Sequence, residues 1–255
     1  MKNNKKSPLK ERPLHVAGQS LDELIQKYIA EDVSILLFMP TLLIAMTIVI
    51  WLNRVFPSKY FPIAISIITL IVIIYCVYRL IILIKKIKSL VLGRNGERIV
   101  AEIFDNLRGQ GFVVFHNIVA ENFNIDHVIL TPHGIFTVET KTFSKPPKGE
   151  ITYKDEKIIA GNINIGNGII LQAESQSKWL KSMLKDSTGR DYYIMPVIVF
   201  PGWFVQPMPE NLKKRIWILS PTALSSFIKN EQIRIQESDM HLAAFHISRY
   251  IRMYN

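Results

Sequence analysis

The sequence predicts an α/β domain preceded by two transmembrane helices. Two long apolar runs without an acidic residue lie before position 92. Beyond them, short β-branched runs bounded by Gly, Pro and Asn alternate with stretches of helical periodicity. The charge is also unevenly placed. Of a net +10, residues 1–32 carry six Lys/Arg against five Asp/Glu, residues 33–92 six against none, and residues 93–255 nineteen against sixteen. The excess flanks the apolar runs, which is membrane electrostatics. The domain behind them is only mildly basic, so nucleic-acid binding has to be argued from a site. The chain accordingly divides into an N-terminal segment (1–32), a two-helix anchor (33–92) and a domain (93–255).

Residues 1–13 are Lys-rich and lack apolar periodicity, the composition of a disordered segment. Ser20 and Glu23 form a capping box, and Leu21, Leu24, Ile25, Tyr28 and Ile29 continue it as a short amphipathic helix. Val33–Leu52 is twenty residues without a charge, enough to span a hydrocarbon core of about 30 Å. Asn53–Tyr60 is a polar connection. Phe61–Ile84 is the second run, with Pro62 suited to a first helical turn. Arg79, Lys85, Lys86 and Lys88 gather at its end. This bias places both termini in the cytoplasm, with a short external loop. The single cysteine, Cys76, lies in the second run and excludes an internal disulfide.

Asn95–Arg108 reads as a helix, with Ile99, Val100, Ile103, Phe104 and Leu107 on one face and Gly109 and Gly111 as stops. Glu97 sits in its first turn, a favourable place for a carboxylate. Phe112–Ile118 is the first strand. Lys145–Gly149 is a Pro/Lys loop, Glu150–Ala160 a hairpin and Gly161–Gly168 a loop. The helix Ile169–Lys185 carries Gln172, Gln176, Trp179 and Met183 on one stripe, with Trp179 and Met183 read as core. Tyr192–Phe200 is a central strand, nearly all apolar, and Arg215–Leu219 another. A short helix follows Ser220-Pro221. A last helix from Ser238 turns Met240, Ala244, Ile247 and Ile251 inward.

The chemistry is concentrated in Asn124–Lys141, two strands around Thr131-Pro132-His133-Gly134. If Leu130 faces Ile135, then Asp126 faces Glu139, and Glu139 and Lys141 share a face. Opposed carboxylates repel and require a compensating charge. A hard divalent cation together with Lys141 would supply it. The alternative is a surface hairpin with a solvated ion pair, and a one-residue slip would separate the carboxylates. His127 alternates away from Asp126 and packs behind the sheet, and His133 sits in the turn. No His/Cys spacing suggests zinc.

The ordered set Gly93-Arg94-Asn95-Gly96-Glu97, Ile125-Asp126-His127-Val128 and Val138-Glu139-Thr140-Lys141, with a Gln-bearing helix after it, resembles the NERD (nuclease-related) domain of the PD-(D/E)xK nuclease superfamily. The resemblance implies a restriction-endonuclease-like mixed sheet flanked by helices, and metal-dependent hydrolysis of phosphodiesters in DNA or RNA. It implies a catalytic set of Glu97, Asp126, Glu139, Lys141 and Gln172, with Asp126, Glu139 and Glu97 holding Mg²⁺ (or Mn²⁺) and Gln176 second to Gln172. Many members follow the E-x-K with Asn and a Gly-containing turn, whereas here Thr142-Phe143-Ser144-Lys145-Pro146-Pro147 intervenes. With the apolar runs, the expected protein is a nuclease anchored in the lipid bilayer on its cytoplasmic side. The alternative is a non-catalytic, membrane-tethered nucleic-acid-binding or scaffolding module.

Overall fold

The computed structural model describes residues 14–53, 60–145 and 149–253. The tail read as disordered, most of the connection between the apolar runs, and Pro146 to Lys148 of the Pro/Lys loop lie outside the described residues. The chain forms two compact units, one of them Ser20–Leu92 and the other made of the residues on either side of that segment.

In the first unit, α1 (Gln19–Lys27) leads through a π-helical stretch (Tyr28–Val33) into α2 (Ser34–Asn53), and the first part of α3 (Tyr60–Asp105) follows; the α3 residues from Gly93 on belong to the other unit. Two helices are long and apolar enough to cross a membrane. Phe38, Leu52, Leu70 and Ile74 are each more than half exposed, an outward apolar surface suited to a hydrocarbon solvent. Several polar groups there are paired. Thr47 Oγ1 donates to Leu43 O at 2.8 Å and lies 2.9 Å from Thr69 Oγ1, and Trp51 Nε1 donates to Ser66 Oγ at 3.1 Å. In a hydrocarbon layer, which offers no alternative partners, such pairing would be required.

The sequence pattern places a helix start at Asn95. In the structure the 46-residue α3 runs through that point, so Glu97 lies in a helix interior and has no helix N-terminus beside it. Gly93 and Gly96 each cost about 1 kcal/mol of propensity relative to Ala, but neither removes a backbone donor as Pro would, and the helix passes through both.

In the second unit the strands and helices follow in order. They are β1 (Val113–Val119), β2 (Asn124–Thr131), β3 (Gly134–Thr140), β4 (Glu150–Lys154), β5 (Lys157–Ala160), β6 (Ile163–Gly166), α4 (Gly168–Thr188), β7 (Ile194–Val199), β8 (Phe204–Val205), α5 (Glu210–Lys213), β9 (Trp217–Leu219), α6 (Leu224–Lys229) and α7 (Glu237–Met253). The main sheet has the order β1-β2-β3-β7-β9. It is mixed, with β1, β2 and β3 an antiparallel meander and β3, β7 and β9 parallel. A smaller sheet has the order β6-β5-β4-β8. The stretch read as a loop at Gly161–Gly168 supplies its edge strand β6, because Ile163 and Asn164 extend and pair with β5 despite the flanking glycines.

β3 is central and buried along its whole length. On one face Phe136 and Val138 pack with Val100, Phe104 and Leu107 of the α3 region and with Trp217. On the other, Ile135, Val128 and Ile125 meet Leu180 and Leu184 of α4 and Ile247 and Ile251 of α7. In α7 the innermost alanine is Ala243, with Ala244 half-buried beside it. A third cluster under the small sheet joins Ile151, Ile158 and Ile170 to Phe200 and Trp203. Burying both faces of β3 carries the polar residues at its end into the interior.

Candidate active site

The hairpin has the expected register. Leu130 faces Ile135, and the ladder runs back to His127 facing Val138. Just beyond the end of the ladder, the Glu139 charge bears directly on Asp126. There Asp126 Oδ2 accepts the Thr140 N–H at 2.7 Å. Glu139 and Lys141, two apart on one face, meet at 2.6 Å between Oε1 and Nζ.

Helix α4 completes the arrangement. Gln172 Nε2 donates to Glu139 Oε1 at 2.8 Å, and Lys141 Nζ donates to Gln172 Oε1 at 3.2 Å. Gln176, one turn on, is 1% exposed and donates from Nε2 to Glu139 Oε2 at 2.6 Å and to Asn124 O at 2.8 Å. Its own Oε1 is buried without a partner among the described residues. The Glu139 side chain is 4% exposed, while that of Lys141 is 26% exposed. The carboxylate is therefore clamped from beneath and the ammonium reaches the surface. Two of the three Lys141 N–H groups are used, and the third has no acceptor among the described residues.

Asp126 is the strained member. Burial, then the charges of Glu139 and Glu97, push its carboxyl well above the usual carboxylate range, against the pull of the Thr140 N–H and Lys141. Only its Oδ2 is engaged, and Oδ1 accepts no hydrogen bond from the described residues. Glu97, half-buried on α3, is thus electrically part of the site. Among the described residues no three acidic, His or Cys side chains form a ready-made metal cluster; Glu139 Oε1 accepts two hydrogen bonds and Oε2 one, which leaves Oε2 a lone pair. The donor set nevertheless suits a hard cation. It offers one free, destabilised carboxylate oxygen on Asp126, with two further carboxylates whose charges already bear on it.

Helix α3 approaches the strand end closely. Gly96 is buried against Thr142, and a Cβ at Gly96 would collide with the Thr142 side chain. His127 faces away, as alternation requires. It is fully buried, edge-on to Phe104 at 5.3 Å between centroids, and burial, with the nearby His116 second, holds its ring well below the usual imidazole range. His133 binds Glu231 O at the turn, remote in register from Glu139. Of the candidates, Asp126, Glu139, Lys141 and Gln172 share one hydrogen-bonded or facing group, and Glu97 joins it through its charge. The sequence ranks Gln176 second to Gln172, yet Gln176 is the deeper clamp. Its signal is its place one turn after Gln172 on the same stripe. The Thr140 N–H has no signal, because backbone donors carry no residue type.

A mixed sheet with an Asp–Glu pair and Lys at the end of its central hairpin, clamped by glutamines of the following helix, defines a nuclease-like α/β domain. Residues 92–201 match the family model of the nuclease-related domain, NERD. No curated protein and no solved structure matches the chain. The matched stretch contains all five candidate residues and ends just past β7, while β9, α6 and α7 lie beyond it and share its cores.

Proposed function

We propose that this chain is a membrane-anchored, Mg²⁺-dependent nuclease that hydrolyses phosphodiester bonds of DNA or RNA on the cytoplasmic side, with Mn²⁺ able to replace Mg²⁺. The observation that carries the reading is Lys141. Its ammonium is held by Glu139 Oε1 and Gln172 Oε1, with one N–H left over among the described residues, beside a carboxylate destabilised by two others.

Asp126, Glu139 and Glu97 would hold the ion, which would polarise the phosphate and acidify water. The chain's own groups then divide the work. Gln176 and Gln172 fix the Glu139 carboxylate. Thr140 N–H fixes one oxygen of Asp126. Lys141, aimed by Glu139 and Gln172, orients the attacking water or donates its remaining N–H to a phosphate oxygen as negative charge develops there. A guanidinium or ammonium on a mobile surface chain would have to be ordered first, whereas this one is already ordered.

The test is incubation of the full chain, purified in detergent, with plasmid, single-stranded DNA and RNA in Mg²⁺, Mn²⁺ or EDTA. Metal-dependent cuts are expected, and binding without cuts would support a tethered nucleic-acid-binding module instead. Orientation is tested separately. Reporter fusions at Asn3 and after Lys88 should both report cytoplasm, and an exterior signal from either overturns the topology.

A further inference from the structure

Behind the site, on the α3 face of the sheet, a row of polar groups crosses an otherwise apolar layer. Asp105 Oδ1 is 2.6 Å from Arg108 Nε and 3.2 Å from His116 Nε2. His116 Nδ1 is 2.8 Å from His127 Nδ1. His127 Nε2 is 3.3 Å from Thr140 Oγ1. His116, His127 and Thr140 are all buried, at 9%, 0% and 7% exposure.

The chemistry of the end groups sets every proton in this row. A carboxylate paired with Arg108 only accepts, so His116 Nε2 must carry hydrogen. Among the described residues His127 touches Phe104, His116 and Thr140 and no carboxylate, and an unpaired cation there would be costly. His116 does pair with Asp105, but burial outweighs that pairing and holds its ring below the usual imidazole range, so near neutral pH both rings are neutral and each has one donor and one acceptor. His116 with hydrogen on Nε2 accepts at Nδ1. His127 must then donate from Nδ1 and accept at Nε2, and the Thr140 hydroxyl must donate to it. All the hydrogen bonds point one way, from Thr140 to Asp105.

Thr140 lies between Glu139 and Lys141, and its N–H is the group that holds Asp126 Oδ2. We propose that Asp105, His116, His127 and Thr140 form a one-way hydrogen-bond relay that locks the end of β3, so that Thr140 N–H holds Asp126 in place. The relay rests on the nuclease reading only for its effect on turnover; its proton order and its hold on Thr140 are independent of it. His116, His127 and Asp105 are positioning residues, acting through Thr140, and touch no reacting group.

The experiment uses the full chain in detergent, labelled with ¹⁵N at histidine and at the backbone. Long-range ¹H–¹⁵N spectra should show the Nε2–H form for His116 and the Nδ1–H form for His127. Hydrogen exchange at the residue 140 amide should accelerate at least tenfold in Asp105→Ala and in Thr140→Val, and return to the wild-type rate in Thr140→Ser, which restores the hydroxyl. In an active protein kcat should follow the same order with KM little changed. Reversed or mixed tautomers, or unchanged exchange in Asp105→Ala and Thr140→Val, overturn the relay whatever the cleavage assay shows. A protein with the expected tautomers and exchange but no metal-dependent cleavage keeps the relay and overturns the nuclease reading.

Discussion

Gly96 of α3 lies flush against Thr142, the residue that follows Lys141, with no space between them for a methyl group. The glycine is needed here for close approach. A hydrogen in place of a side chain lets the helix bearing Glu97 come down onto the end of the strand bearing Glu139 and Lys141.

Gly96→Ala should therefore impair the domain although alanine is the better helix former. The gain in helix propensity is about 1 kcal/mol at most, and overpacking typically costs about 1–3 kcal/mol. A lower melting temperature and lower cleavage are expected. Thr142→Gly in the same chain removes the colliding atoms and should restore much of both. Thermal melts of the single and double variants, with activity measured alongside, decide the point. An unaffected single variant would mean that the contact is loose in solution.

Asp126 makes stability depend on pH in a defined direction. Its folded-state carboxyl is raised above the ordinary 3.8 by burial and by Glu139 and Glu97. Protonation therefore favours the folded state. The associated stability is complete below about pH 3.8 and is lost as pH rises through the raised folded value. In EDTA, Asp126→Asn should melt above wild type, by a margin that grows across that window. Mg²⁺ should stabilise wild type and leave the variant nearly unchanged. Cleavage should be abolished in Asp126→Asn. A variant that melts below wild type in EDTA at neutral pH would show that the carboxylate is a structural partner.

Lys141 separates catalysis from ion binding. An ammonium has no lone pair for a metal, so Lys141→Ala should keep Mn²⁺ affinity or raise it slightly by deleting a positive charge. Turnover should fall about 10²-fold or more, the scale of one positioned transition-state group. Lys141→Arg keeps the charge but not the shape and should rescue poorly. Calorimetric Mn²⁺ titration beside a cleavage assay is the measurement. Cleavage near the wild-type rate in Lys141→Ala would remove Lys141 from the mechanism.

The two glutamines should differ in what they cost. Gln176→Leu leaves Glu139 Oε2 and Asn124 O short of a buried donor, worth about 1–3 kcal/mol of stability, and frees the carboxylate to rotate. Gln172→Leu removes a half-exposed partner of Lys141, so water can substitute. It should leave the melt nearly unchanged while turnover falls. Equal losses of stability in the two would contradict the difference in depth between them.

How much of this was legible follows from the range of the forces involved. The hairpin register was, because alternation of Val128, Leu130, Ile135 and Phe136 around a four-residue turn is local, and the ladder from Thr131–Gly134 to His127–Val138 follows it. The two long apolar helices were legible from composition alone, since their length and lack of charge are properties of the local sequence. The continuity of α3 was not. The glycines at 93 and 96 mark a boundary by propensity, and Gly96 is instead set by its contact with Thr142, far along the chain. Strand β6 was hidden because its pairing with β5 outweighs the weak preference of Asn and Gly. Nor could the sequence place Gln176 beneath Glu139, or align Asp105, His116, His127 and Thr140. Those contacts join α3, three strands and α4. Only the packing of both faces of the sheet brings such distant side chains within hydrogen-bond reach and excludes the water that would otherwise satisfy each of them separately.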